Sequence, residues 1–157
     1  MLVAGSVNGD NGLSLAPRIE VSYLNREAGA SFLAEPDDFV KTLSPFDRAS
    51  RLQVGRVVGQ VEFLNHVRAQ ILDWDKAETG KVSALLKKLW PRMTGLKLPW
   101  PKTIYLIKTT GKEEGNAAYT RRNAVILPAG KLKQKDEKLE RLLVHELFHV
   151  LSRANPE

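Results

Sequence analysis

The fold is decided by the stretch Leu142–Leu151, which reads LLVHELFHVL near the end of a 157-residue sequence. Its apolar residues recur at steps of three and four, the spacing of a helix that buries one broad face. The same pattern begins upstream at Leu139, so the helix is predicted to start near Asp136. Residues four apart lie about one turn apart on the same helical face, so His145 and His149 can point at one ion.

The pattern His-Glu-x-x-His at 145–149 has the spacing of a zinc site. The sequence contains no cysteine, so a metal would be held by imidazole and oxygen ligands, and neutral imidazole nitrogens bind zinc well. Glu146 is offset enough to miss the metal itself yet reach a water held on it. Zinc makes such a water acidic, and the carboxylate can accept its proton and return it to a leaving amine. The sequence therefore predicts Zn²⁺ with His145 and His149 as ligands and Glu146 as general base.

The alternative interpretation is a chance match on an ordinary amphipathic helix. Two of the three histidines in the chain fall in the motif, within an apolar helix where polar groups without partners are costly. This context favours the metal site. The third histidine, His66, has no partner at ligand spacing and is interpreted as a structural or surface residue.

The rest of the chain predicts an α+β domain with several helices, a small mixed or antiparallel sheet and the active-site helix packed beneath it. Residues 1–18 are interpreted as a flexible leader and 19–157 as one domain. One helix is predicted to have Asp37 and Asp38 in its first turn, and others are predicted after the cap residue Ser44, over Val61–Leu72 and after Asp75, with Pro91 interrupting the last of these. Strands are predicted at Ile19–Leu24, Thr103–Ile107 and within Ala118–Leu127, the last two separated by a charged turn at Gly111–Gly115.

Composition sets limits on location and partners. A chain with 43% hydrophobic and 27% charged residues is typical of a soluble globular domain, and it contains no run of the roughly 18 apolar residues that a membrane span needs. No secretory signal is evident at Met1–Ala4. The net charge of +6 could favour an acidic partner, but acids interleave the lysines at 131–140, so a solvated face is favoured over nucleic-acid binding.

The last third of the chain resembles the zincin superfamily of metallopeptidases, and more narrowly the gluzincins. Besides the histidine motif, the segments 116–119 and 123–127 resemble the strand that borders the cleft in that superfamily. The resemblance implies a zincin-like fold, peptide-bond hydrolysis, and a peptide or protein substrate held in extended form along this strand. It makes Asn116 and Ala117 candidate contacts for the substrate backbone. Tyr119 either donates a hydrogen bond to a tetrahedral intermediate or packs structurally.

One element of a catalytic zinc site is missing from the sequence pattern. Such a zinc normally has three protein ligands and a water, and only two ligands are identified here. Ser152 and Asn155 occupy the positions that exclude the zincin subclass with a third histidine. The acids Glu62, Glu113, Glu114 and Glu157 have no spacing argument, so the domain is expected to be incomplete at its C-terminus. The alternatives are a non-catalytic zinc-binding or structural domain, and a protease associated with nucleic acid.

Overall fold

The computed structural model describes residues 12–16, 19–94 and 98–156. This part contains six strands: β1 (Gly12–Ala16), β2 (Ile19–Leu24), β3 (Ile71–Leu72), β4 (Thr103–Thr109), β5 (Tyr119–Arg121) and β6 (Ala124–Pro128). It contains seven α-helices: α1 (Arg26–Ala34), α2 (Asp38–Thr42), α3 (Pro45–Leu52), α4 (Gln60–Ala69), α5 (Lys76–Thr94), α6 (Ala129–Leu132) and α7 (Asp136–Ala154). A 3-10 turn at Lys112–Glu114 follows β4. The predicted α+β class is confirmed.

The strands form one mixed sheet in the order β1-β2-β4-β6-β5, with β3 paired to the end of β4 outside this path. The central strands β2, β4 and β6 are parallel, and β1 and β5 run antiparallel at the two edges. All five residues of β6 are buried, as expected for an interior strand covered on both faces. Among the strands that the structure describes, the edge strand β5 has a neighbour on one side only.

Helices cover both faces of the sheet. On one face, α5 and α7 pack through an apolar cluster that includes Leu86, Leu106 and Leu143. On the other face, α1 to α4 pack through a second cluster that includes Leu33 and Ile107. Leu106 and Ile107 are neighbours in β4 and point to opposite faces, as side chains of a strand do. The predicted histidine helix therefore lies on the α5 side of the sheet.

The positions of several helices and strands were predicted correctly from short stretches of sequence. The predicted strand Ile19–Leu24 is β2, and the last helix begins at Asp136. Ser44 and Asp47 form a capping box at the start of α3, and Asp75 and Glu78 exchange the same pair of hydrogen bonds at the start of α5.

Four predictions differ from the structure. Residues 12–16, expected in the flexible leader, form β1 because they pair antiparallel with β2; residues 1–11 and 17–18 lie outside the described part. The helix predicted over Val61–Leu72 ends at Ala69, since Ile71 and Leu72 pair with the end of β4. Pro91 does not end α5, which continues to Thr94. The single strand expected within Ala118–Leu127 is the hairpin β5–β6, which reverses at Arg122 with φ of 51°.

No helix within the described ranges has both the length and the apolar character needed to cross a membrane.

Candidate metal centre

The side chains of His145 and His149 converge on the outer surface of α7. Their Nε2 atoms are 3.1 Å apart, with ring centroids 4.7 Å apart and planes at 83°. Zinc–nitrogen bonds are about 2.0–2.1 Å, so two imidazoles bound at a tetrahedral angle place their nitrogens roughly 3.3 Å apart. Both histidines are exposed. The geometry therefore fits two ligands of one ion that is open to solvent.

Packing of the opposite side of α7 fixes this orientation. Leu143, Leu147 and Val150 are at most 1% exposed and lie in the cluster against α5 and the sheet. Because this apolar stripe is buried, the histidines face outward, where each ring contacts the other. No residue that the structure describes accepts a hydrogen bond from the Nδ1 atom of either ring, a contact that metal-bound histidines usually make.

Glu146 is a buried carboxylate without a partner. It is 4% exposed, and within the described residues it makes no hydrogen bond or ion pair. Burial raises the pKa of Glu146, and the charges of His145, His149 and Arg153 partly oppose this rise. A carboxylate placed beside two imidazoles and left without a protein partner can accept a proton from a water between them. The described residues thus supply two imidazole nitrogens and an adjacent carboxylate, which is one protein ligand fewer than a catalytic zinc normally has.

Arg153 joins this helix to the edge strand. Its Nε donates to the hydroxyl of Thr120 in β5 at 3.0 Å. Residues seven apart share a helical face, so Glu146 and Arg153 both lie on the flank of α7 that faces β5. The sequence motif did not identify Arg153, although its position seven residues after Glu146 was a signal that could have done so.

The two predicted backbone contacts precede the edge strand. Asn116 has φ of 62° and its N–H donates to the carbonyl of Gly111 at 2.7 Å. Its side chain covers Gly111, since a Cβ added there would lie 2.7 Å from Asn116 Oδ1. Ala117 is exposed, and Ala118 packs against the cluster that contains the buried stripe of α7. The side chain of Asn116 therefore shapes the turn. Ala117 is exposed at the entry of β5, but its N–H donates to the carbonyl of Glu114 at 3.0 Å.

The structure does not bring the side chain of Tyr119 to the histidines. Tyr119 stacks on Phe39 with centroids 6.1 Å apart and planes at 24°, and it packs against the cluster formed by α1 to α4. Its burial, followed by the charge of Glu113, raises its pKa well above the ordinary value. The side chain lies on the face of the sheet opposite α7, which supports packing rather than contact with a reacting group.

None of the described acids that were considered as a third ligand approaches the histidines. Glu62 pairs with Arg56 and Glu114 pairs with Arg51 at 2.8 Å. Glu113 is 1% exposed in the layer opposite α7, and Glu157 lies outside the described residues. In the part of the chain that the structure describes, no group of three or more acidic or histidine side chains could hold a metal ion.

Comparison with known proteins identifies no relative: no family, no curated protein and no solved structure matches this chain.

Proposed function

We propose that this chain is a zinc-dependent peptidase domain with a zincin-like, gluzincin-like arrangement. The observation that carries the proposal is the 3.1 Å separation of His145 Nε2 and His149 Nε2 beside the buried, unpartnered carboxylate of Glu146. The described residues supply these two ligands and no group of three or more.

The chain's own residues have separate roles in the proposed reaction. Zinc, when bound, would supply an acidic water and polarise the scissile carbonyl. His145 and His149 would hold it through Nε2. Glu146 accepts the proton of the attacking water on its carboxylate and then donates that proton to the leaving amine.

The edge strand supports an extended peptide as the substrate. Alternate residues of an unpaired strand edge direct their N–H and C=O groups outward, which offers a peptide backbone hydrogen bonds without reading its side chains. Contacts between β5 and α7, including the Arg153–Thr120 hydrogen bond, place this edge along the flank that carries Glu146. A peptide paired with β5 would pass beside the histidines.

The test compares zinc binding and peptide cleavage in matched variants. The wild-type protein is expected to bind one zinc ion and to cleave a mixed peptide library. His145→Ala and His149→Ala should lose zinc, whereas Glu146→Gln should keep zinc and lose about 100- to 10,000-fold in cleavage rate. His66→Ala is the matched control and should change neither quantity, because His66 lies in α4 on the opposite face of the sheet.

Two outcomes would change the assignment. Zinc binding that survives removal of either histidine would overturn the metal site. If the histidine variants lose zinc but the wild-type protein cleaves no peptide, the alternative of a non-catalytic zinc-binding domain would be favoured. The nucleic-acid alternative receives less support, since Lys88, Arg121 and Arg122 are paired with acidic residues.

A further inference from the structure

A polar groove of about 590 Å³ lies between the start of α1 and the end of α4. Its apolar lining is limited to Ala30 and Ala69. The remaining lining residues are two amides, two arginines and two acids: Asn25, Asn65, Arg26, Arg68, Glu27 and Asp73. Helices α1 and α4 belong to the layer opposite α7, so the groove is separate from the histidines.

The groove lies where two parallel strands end. β2 ends at Leu24, and Asn25 follows it directly. Arg26 Nε donates to the carbonyl of Ile71 at 3.0 Å, and Ile71 pairs with Thr109, the last residue of β4. In open sheets with parallel strands, ligand sites commonly lie outside the carboxyl ends of the strands. The groove therefore occupies a position that suits a binding site.

Contacts with the backbone hold one cation and one anion of the groove in place. The bond to Ile71 orients the guanidinium of Arg26, and the N–H of Arg26 donates to Asp73 Oδ1 at 2.8 Å. Within the described residues, the Nη atoms of Arg26 and Asp73 Oδ2 make no hydrogen bond. Groups that are already oriented lose less conformational freedom when a ligand binds.

Glu27 and Arg68 bring opposite charges to the same groove without pairing. Glu27 belongs to α1 and Arg68 to α4, and both are exposed. Neither side chain makes an ion pair or a hydrogen bond with any residue that the structure describes. Each of these charges is therefore available to a ligand.

The balance of charges restricts the class of ligand. The formal charges of the two arginines and the two acids cancel. A phosphate or another simple anion would meet the carboxylates of Glu27 and Asp73, and a simple cation would meet the guanidinium groups. An apolar ligand would remove water from these charges without replacing its hydrogen bonds. A small molecule that carries both signs can satisfy both kinds of group.

We propose that this groove binds a small zwitterion with a free ammonium group and a free carboxylate, which is the chemistry of an amino acid or a short unblocked peptide. Arg26 and Arg68 donate hydrogen bonds to the carboxylate, and Glu27 and Asp73 accept hydrogen bonds from the ammonium group. A volume of about 590 Å³ is within the range of sites for small ligands. The proposal does not depend on the proposed peptidase function.

The first test measures which charges of the ligand are needed. It uses the Glu146→Gln protein with a chelator present, so that the peptides are neither cleaved nor bound through a metal at the histidines. In ¹H–¹⁵N NMR titrations, the dipeptide Ala-Ala should cause saturable shifts at residues 25–30 and 65–69. N-acetyl-Ala-Ala and Ala-Ala amide, which each lack one charge, should bind about 2- to 10-fold more weakly. The peptide blocked at both ends should cause no saturable shift.

The second test assigns each charge of the ligand to a side chain. Glu27→Gln should weaken binding of Ala-Ala but should not change binding of N-acetyl-Ala-Ala, which has no ammonium group. Arg68→Gln should weaken binding of Ala-Ala but should not change binding of Ala-Ala amide, which has no carboxylate. Glu137→Gln and Arg141→Gln are the matched controls, because they remove the same charges from exposed positions of α7, and both should leave binding unchanged.

Three outcomes would overturn the site: no saturable shift with either Ala-Ala or free alanine, equal binding of the peptide blocked at both ends, or equal weakening by the α7 controls. If the site exists, the comparison of alanine with Ala-Ala identifies its ligand, since the tighter binder shows whether a free amino acid or a short peptide fits better. Cleavage is not measured in these titrations, so failure of this proposal leaves the peptidase proposal to its own test.

Discussion

Arg153 Nε donates a hydrogen bond to Thr120 Oγ1 at 3.0 Å, which connects the last turns of α7 to the edge strand β5. Thr120 is 4% exposed, whereas Arg153 is exposed. Loss of this bond therefore affects its two partners differently. The guanidinium of Arg153 can be hydrated, whereas the hydroxyl of Thr120 has little access to water.

Removing either partner should therefore lower the free energy of unfolding by a different amount. Arg153→Met leaves the Thr120 hydroxyl buried without its partner and should lower the free energy of unfolding by about 1–3 kcal/mol. Thr120→Val removes the hydroxyl itself and should cost less, about 0.5–1.5 kcal/mol. Denaturant unfolding of both single variants and the double variant measures the coupling. Arg141→Met is the control on the same helix and should have little effect; equal costs for the two partners would contradict the argument.

A second prediction concerns the buried guanidinium of Arg121. It is 1% exposed and donates to Asp37 Oδ2 at 2.8 Å and to the carbonyls of Leu33 and Glu35. Asp37→Asn keeps a good N-cap residue for α2 but removes the negative charge, so it leaves a buried cation without its counter-ion. The expected loss is about 3–5 kcal/mol in the free energy of unfolding.

The neighbouring pair between Arg122 and Glu35 supplies the matched control. Its side chains are 35% and 68% exposed, and exposed pairs contribute about 0–1 kcal/mol. Glu35→Gln should therefore change stability much less than Asp37→Asn in the same unfolding experiment. Similar losses in the two variants would show that burial of Arg121 does not determine the cost.

The sequence predicted those parts of the structure that local interactions determine. Ser44 with Asp47, and Asp75 with Glu78, are capping pairs three residues apart, so their hydrogen bonds need no information from the rest of the chain. The two histidines meet for the same reason, since one helical turn brings them together.

The parts of the structure that differ from the sequence predictions depend on contacts between residues that are distant in sequence. Residues 12–16 follow a stretch rich in Gly, Asn, Asp and Ser and were included in the predicted leader, yet they form β1 because they pair with β2. Ile71 continues the helical period of α4, but its register with Thr109 of β4 makes it a strand residue. The face of the sheet on which the Tyr119 side chain lies could not be predicted from the sequence either. A three-residue strand does not reveal which of its sides meets α7.

A third prediction concerns stabilisation by metal. Zinc that binds the folded state should raise the melting temperature in proportion to the logarithm of its concentration. The stabilisation is about 2.7 kcal/mol at a hundredfold excess over Kd, or roughly 5–10 °C for a chain of this length. His145→Ala and His149→Ala should lose most of this shift, and a chelator should reverse it in the wild type. His66→Ala should retain the shift. A zinc response that is equal in all three variants would place the metal elsewhere.

The last prediction concerns pH and the buried carboxyl of Glu113. It is 1% exposed and neither oxygen has a hydrogen-bond partner within standard geometry. Burial raises the pKa of Glu113, and the nearby Thr109 hydroxyl and the charge of His66 offset this only in part. Because the unfolded chain releases this proton at lower pH than the folded protein does, the stability from Glu113 is present at acidic pH and is lost as pH rises through the raised pKa. Glu113→Gln should therefore raise the melting temperature increasingly as pH rises above the ordinary pKa of glutamate, measured by thermal unfolding at each pH. Glu114→Gln, which breaks the partly buried pair with Arg51, is the adjacent control and should not stabilise; a pH-independent effect of Glu113→Gln would contradict the prediction.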